Sequence, residues 1–150
     1  MLAATRNARP TTHTPMPTPD IAWAYPLLLK SHLGLVVTSV GLFSVRALAA
    51  LQGQVWPFRK GWRRASEGVD TALLTAGAGL WWLLQLNPLH TPWFGLKLGL
   101  LVVYIALGTV AMRSTASTPV RALCLLAALL CVAFMASMAL ARHPLGWWAP

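Results

Sequence analysis

The fold is decided by residues 25–48, YPLLLKSHLGLVVTSVGLFSVRAL, a stretch long and apolar enough to cross a bilayer as one helix. It nevertheless carries His32, Ser39 and Arg46 at steps of seven residues. Seven residues make about two helical turns, so these three side chains share one face. Because lipid offers them no hydrogen-bond partner, polar side chains in a membrane helix face protein or water. We therefore expect the polar face of this first helix to turn toward the inside of a bundle.

The rest of the chain is equally apolar. Of its 150 residues 57% are hydrophobic and 10% charged, and the mean hydropathy is +0.60. Helical segments are expected at about 25–50, 69–86, 94–112 and 119–141. They predict an all-α, integral membrane four-helix bundle over residues 22–150. Residues 1–21 are rich in Pro and Thr and lack an apolar core, so we expect a disordered N-terminal tail and no cleavable signal peptide.

The formal net charge is +9, from 12 Lys and Arg against three acidic residues. These basic residues flank the apolar segments, where they set topology and meet lipid head groups, so the bilayer and not nucleic acid is the expected partner. The first and third loops hold the denser basic group, formed by Arg46, Arg59, Lys60, Arg63, Arg64, Arg113 and Arg121. We expect those loops to be cytoplasmic and both termini periplasmic, in a bacterial inner membrane.

One acidic residue, Asp70, lies near the start of the second apolar segment. If the first two helices are antiparallel neighbours, Asp70 and Arg46 approach the same face of the membrane. A structural ion pair between them is one possibility, and independent solvation of the two charges is the other.

Further polar residues fall toward the outward ends of the helices. His32, Lys97 and His143 lie at that level, and Tyr104 follows Lys97 by seven residues. With nearby tryptophans, they predict a cofactor pocket near the outer leaflet for a haem, a quinone head group or a metal ion of unknown identity. Local hydrogen bonding of the His and extension of the Lys to the interface explain the same residues without a ligand.

Patterns typical of soluble enzymes do not stand out. The sequence shows no Ser/His/Asp set, paired acidic residues, Gly-rich phosphate loop or CxxC motif, so a non-enzymatic protein is favoured. Cys124 and Cys131 are seven residues apart in one apolar segment, about 10 Å along a helix and too far for a disulfide.

Short motifs spread over the helices resemble one known family. The matching residues are Leu29, Lys30, His32, Leu33, Ser39, Phe43 and Arg46, then Asp70, Thr71, Leu73 and Leu74, then Lys97, Leu98, Tyr104, Leu107, Gly108, Ala111 and Arg113, and finally His143, Pro144 and Leu145. Over about residues 27–146 this pattern resembles the SirB family of invasion gene expression up-regulators. The resemblance implies a small polytopic inner-membrane protein, and the family's name records a genetic effect and not a biochemical activity. Where the family pattern has a second-helix His, this chain has Glu67, which puts any role of that His in doubt here.

Two shorter stretches resemble the membrane protoporphyrinogen oxidases, which bind haem b through a His and a Lys. The likeness lies in the early His and later Arg of the first helix and in the Trp and Lys that open the third. It implies His32 and Lys97 as axial ligands of haem b. Our leading hypothesis is an accessory or regulatory subunit that binds other membrane protein subunits, because the helices carry small-residue faces and no complete catalytic set. The alternatives are a haem b or quinone redox protein and an oligomeric transporter of a small ion.

Overall fold

A computed structural model describes residues 23–146, and within that range the chain forms four α-helices and one short 3₁₀ helix, without a strand. The helices are α1 (Ala24–Leu51), α2 (Lys60–Leu84), α3 (Pro92–Ala111) and α4 (Thr118–Ala141), with the 3₁₀ helix at Trp56–Phe58. The predicted all-α, four-helix membrane fold is confirmed, since α1, α3 and α4 are long and apolar enough to span a bilayer. The prediction for the tail, residues 1–21, lies outside the described residues.

Local signals set several of the helix boundaries. Pro92 and Pro119 occupy the first turns of α3 and α4, where a missing N–H costs nothing and the fixed φ favours helix. Gln85 and Arg142, which follow α2 and α4, adopt left-handed φ angles of 49° and 50°. A left-handed residue directs the chain away from the helix axis, so both helices end there.

The start of α2 differs most from the expected boundary, because the helix begins at Lys60 and not near residue 69. Its first two turns are rich in charged residues. A prediction that relies on the spacing of apolar residues does not recognise such turns as helical. An ion pair of 3.2 Å between Arg63 and Glu67, four residues apart, supports this extension. Trp62 also packs edge-to-face on Trp56, with ring centroids 5.1 Å apart. The loop between α1 and α2 is therefore shorter than the sequence suggests.

The helices pair as two antiparallel hairpins, α1–α2 and α3–α4, which meet mainly through α1 and α4. The first hairpin is paired along its length: Arg46 bonds Ser66 at one end, and Leu28 lies against Gly79 at the other. α2 therefore runs through the same depth as α1, although its hydropathy alone does not identify it as a span. We call the end with the α1–α2 connection and the α3–α4 loop the basic end.

The core lies toward the basic end, where Ala47, Ala111 and Leu125 of three different helices are buried together. Small side chains at these contacts let the helix backbones approach closely. Phe43 packs beside them, and a Cβ at Gly108 would lie 3.5 Å from its ring. Many large apolar side chains of the bundle instead point outward, as expected of a protein whose surroundings are lipid.

Candidate functional site

The polar residues of α1 organise three layers inside the bundle, each about 10 Å from the next along the helix. α2 and α3 contribute to the outer and middle layers from positions that are also seven residues apart. The outer layer contains His32, Gly77 and Lys97, the middle layer Ser39, Asp70 and Tyr104, and the inner layer Arg46, Ser66 and Pro57. The inner layer is the one at the basic end.

In the outer layer the imidazole of His32 packs directly on α2. A Cβ at Gly77 would lie 3.3 Å from Cε1 of the ring, so only glycine leaves the ring its full space. The ring also lies beside the backbone of Leu73, and the charge of Lys97 acts on it. Nδ1 of His32 is buried without a hydrogen-bond partner. The structure thus places in one layer the two residues that the resemblance to the membrane protoporphyrinogen oxidases implies as axial ligands.

The outer layer offers two nitrogen atoms that could act as ligands, one from His32 on α1 and one from Lys97 on α3. A buried ring nitrogen without a partner is rare in folded proteins, and either the adjacent Leu73 backbone or a ligand would satisfy it. In the part of the chain that the structure describes, no cluster of three or more His, Cys, Asp or Glu side chains could hold a metal ion. The two clearest surface hollows lie along α2 and around the α2–α3 connection, and neither is lined by His32 or Lys97.

The middle layer places a carboxylate halfway along the bundle, at its surface. Ser39, only 5% exposed, donates a hydrogen bond of 2.5 Å from its hydroxyl to Oδ1 of Asp70. Tyr104 lies beside both residues, and its ring meets that of Phe43 edge-on at 5.9 Å. Because Ser39 is near the midpoint of the 28-residue α1, Asp70 lies at mid-depth and not at the membrane face. The early start of α2 at Lys60 causes this difference, since almost three helical turns precede Asp70.

In the inner layer Arg46 binds the α1–α2 connection. Its Nε and Nη2 both donate to the carbonyl of Pro57, at 3.2 and 2.8 Å, and Nη1 donates to the hydroxyl of Ser66 at 2.7 Å. The charges of Arg46 and Asp70 interact at a distance, but these two side chains form no direct ion pair. Ser66 lies one turn closer to the basic end than Asp70, so the Arg46 guanidinium contacts the Ser66 hydroxyl and not the Asp70 carboxylate.

A second buried arginine, Arg121, was counted in the sequence only as a topology signal. It is 8% exposed, its Nε donates to the carbonyl of Ala111 at 3.1 Å, and its guanidinium lies 5.7 Å from the ring centroid of Phe58. Nη2 of Arg121 has no hydrogen-bond partner. Arg46 and Arg121 therefore hold the same short connection from two helices. The sequence signal for this buried arginine is its position inside the first turn of an otherwise apolar helix.

The other two residues predicted as cofactor ligands lie apart from the outer layer pair. Tyr104 is two turns further along α3, in the middle layer. His143 lies in the turn after α4, where its Nδ1 accepts a hydrogen bond of 3.2 Å from the Leu145 N–H. Glu67, which stands in place of the family's second-helix His, pairs with Arg63 on the surface.

Comparison with known families now identifies the chain. The family model described as "Invasion gene expression up-regulator, SirB" matches residues 25–144, a range that contains the three polar layers and all four helices except the first residue of α1. No curated protein and no solved structure matches the chain significantly. The protein belongs to the SirB family.

Proposed function

We propose that this SirB-family protein is a non-enzymatic accessory or regulatory subunit of a larger assembly in the bacterial inner membrane. The exposed side of α2 is the observation that carries the proposal. α2 runs beside α1 through the depth of the bundle, yet Glu67, Thr71 and Thr75 all face outward from it. Polar side chains that face lipid are unfavourable, and contact with another protein removes them from it.

The shape of that side of α2 supports the same proposal. A shallow groove runs between α2 and Leu28 of α1, and its floor includes the small residues Gly68, Ala72 and Ala76. Small residues on a membrane helix let a neighbouring backbone approach closely. The hydroxyls of Thr71 and Thr75 donate to carbonyls one turn back, and their oxygens can still accept a hydrogen bond from a helix that packs against them.

The orientation is part of the proposal. Arg59, Lys60, Arg63 and Arg64 are all exposed at the basic end, next to the connection that Arg46 holds in place. Exposed basic residues next to a membrane segment favour the cytoplasmic side. This orientation leaves both termini in the periplasm. Labelling of single cysteines from either side of the membrane tests it.

The decisive experiment is the mass of the protein extracted with its native lipid from its own host. We expect a particle heavier than one 16.2 kDa chain, with a second protein at fixed stoichiometry. Ala72→Trp fills the groove and should release that protein. Leu123→Trp on α4, where Leu123 is 67% exposed, is the matched control and should not. A single-chain particle that carries out the cellular role unaided contradicts the proposal.

The second candidate function is that of a haem b or quinone redox protein, and the partnerless Nδ1 of His32 beside Lys97 favours it. A bound haem would supply one-electron redox chemistry, and the two side chains would supply nitrogen ligands to its iron. Absorbance spectra of oxidised and dithionite-reduced protein, expressed with added haem, test this candidate. A Soret band that shifts on reduction and disappears in His32→Ala supports it. A flat visible spectrum from folded protein removes the haem form of this candidate.

A further inference from the structure

We propose that the opening between α2 and α3 receives one membrane-spanning helix of a partner protein, and that a basic side chain of this helix pairs with Asp70. The proposal rests on the proposed function of an accessory subunit and adds a second contact surface, on the face of α2 opposite to the Ala72 groove. Its starting point is the carboxylate of Asp70, which receives one hydrogen bond from its own chain.

Asp70 has a single hydrogen-bond partner among the described residues. Ser39 donates to Oδ1, whereas no donor is present for Oδ2, and the residue is exposed at the surface of the bundle. An ionised carboxylate offers about four acceptor sites. At mid-depth in a bilayer such a group is strongly unfavourable unless a cation or several donors face it.

The chain's own cations do not fill this need. The donors of Arg46 that face α2 and the connection are engaged by Ser66 and Pro57. Lys97 lies in the outer layer, one step of about 10 Å from the middle layer, next to His32. No cation of the chain therefore contacts Asp70 directly, although the charge of Arg46 acts on it from a distance, and a basic side chain of a partner would pair with it.

The surface around Asp70 has the pattern of a helix-packing seam. Its members are exposed residues of α2 at steps of three and four, and we call them the Asp70 stripe: Arg63, Glu67, Asp70, Leu74, Ala78 and Trp81. This spacing is the one that packs helices side by side in coiled coils and bundles. The stripe rises over 18 residues, about 27 Å, close to the thickness of the hydrocarbon core.

α3 forms the other wall of the opening without closing it. The Trp81 and Phe94 rings approach at 5.8 Å near one end, and Tyr104 lies beside Asp70 further in. The two hairpins otherwise meet through α1, which contacts α4 and the Tyr104 side of α3, so α2 and α3 have few direct contacts. A helix placed there would contact both walls.

The depth of Asp70 identifies the occupant. Lipid head groups lie at the interface and do not reach the middle of the bilayer. A second copy of the chain offers no cation at this depth either, because among the described residues the exposed Lys and Arg side chains lie toward the helix ends or in the connections. A foreign helix with a Lys or Arg at its centre supplies both the charge and the apolar surface that the stripe needs.

The test uses the full chain in lipid vesicles with two synthetic peptides, read by energy transfer between labels. Each peptide is a polyleucine helix of about 20 residues, one with a central lysine and the other with norleucine in its place. We expect the lysine peptide to bind about tenfold more tightly than the norleucine peptide. Asp70→Asn should remove the preference. Glu67→Gln, on the same stripe but already paired with Arg63, is the matched control and should keep it.

A second variant covers the case in which Asp70→Asn fails to fold. Ala78→Trp fills the stripe and leaves Ser39 and Asp70 in place, so it should weaken binding of the lysine peptide. Equal binding of the two peptides, or a lysine preference that survives Asp70→Asn, overturns the proposal. Copies of the chain that associate with each other and are not displaced by the lysine peptide overturn it as well. If the native particle is heavy while the peptides bind equally, this inference fails and the proposed function stands.

Discussion

The two hairpins have similar lengths but are held together by different interactions. α1 and α2 are joined by side-chain hydrogen bonds, from Ser39 to Asp70 and from Arg46 to Ser66. α3 and α4 are joined mainly by apolar contacts, with one buried hydrogen bond from Arg121 to the Ala111 carbonyl at the basic end. Between their middles the polar contact is the weak one from Sγ of Cys131 to the Leu100 carbonyl, 3.3 Å. The polar chemistry of the protein is thus concentrated in and around the first hairpin, while the second serves as an apolar support. Substitutions in the two hairpins should therefore differ in their effect on unfolding.

The largest effect is expected from Arg46→Met. The substitution leaves the Pro57 carbonyl and the Ser66 hydroxyl without their donor, and we expect the free energy of unfolding to fall by about 3 kcal/mol. Titration with SDS in mixed micelles measures it. Arg64→Met, at an exposed position, is the control. An equal loss in both variants would mean that the inner layer does not hold the first hairpin.

Gly77→Val should have the next largest effect. The added side chain presses on the ring of His32, where even a Cβ would lie 3.3 Å from Cε1, and we expect a loss of about 2 kcal/mol. The matched control in the second hairpin is Gly99→Val, since nothing lies within 4 Å of a Cβ at Gly99. The same SDS titration compares the two. If Gly99→Val destabilises as much, helix propensity and not the packing of His32 explains the result.

Ser39→Ala isolates the middle layer. It removes the donor to Oδ1 of Asp70, and hydrogen bonds between membrane helices are worth about 1 kcal/mol, so we expect a loss of that size in unfolding free energy. Thr38→Ala is its neighbour on the exposed side, where the hydroxyl bonds only its own helix at Gly34. That variant should change stability little. The reverse order of the two losses would contradict the role of the middle layer.

The smallest effect is expected from Cys131→Ala in the second hairpin. A thiol is a weak donor, so loss of its contact with the Leu100 carbonyl should lower the free energy of unfolding by less than about 0.5 kcal/mol. Measured in parallel with Ser39→Ala, it tests the comparison of the hairpins directly. A loss larger than that of Ser39→Ala would show that the second hairpin also depends on its polar contact.

Much of the fold could be predicted because its signals are local. The apolar runs indicate the helices, and the steps of seven on α1 indicate which face carries His32, Ser39 and Arg46. The structure places these three on the side of α1 that meets the other helices, with Ser39 and Arg46 buried. The approach of Lys97 to His32 was inferred from topology and family likeness together, and the structure brings them to one layer.

The contacts between helices depend on how far one helix is shifted and rotated against another. No local pattern in a single sequence encodes that shift. The charged start of α2 moved Asp70 to mid-depth, where Ser39 and not Arg46 is its contact. Arg121 became buried because the α1–α2 connection folds over it, a contact between residues far apart in sequence. Side-chain periodicity is enough to predict the number of helices, their apolar character and the polar face of α1. The pairing of the polar groups follows from the tertiary packing, because hydrogen bonds form over about 3 Å and one helical residue of shift is enough to exchange partners.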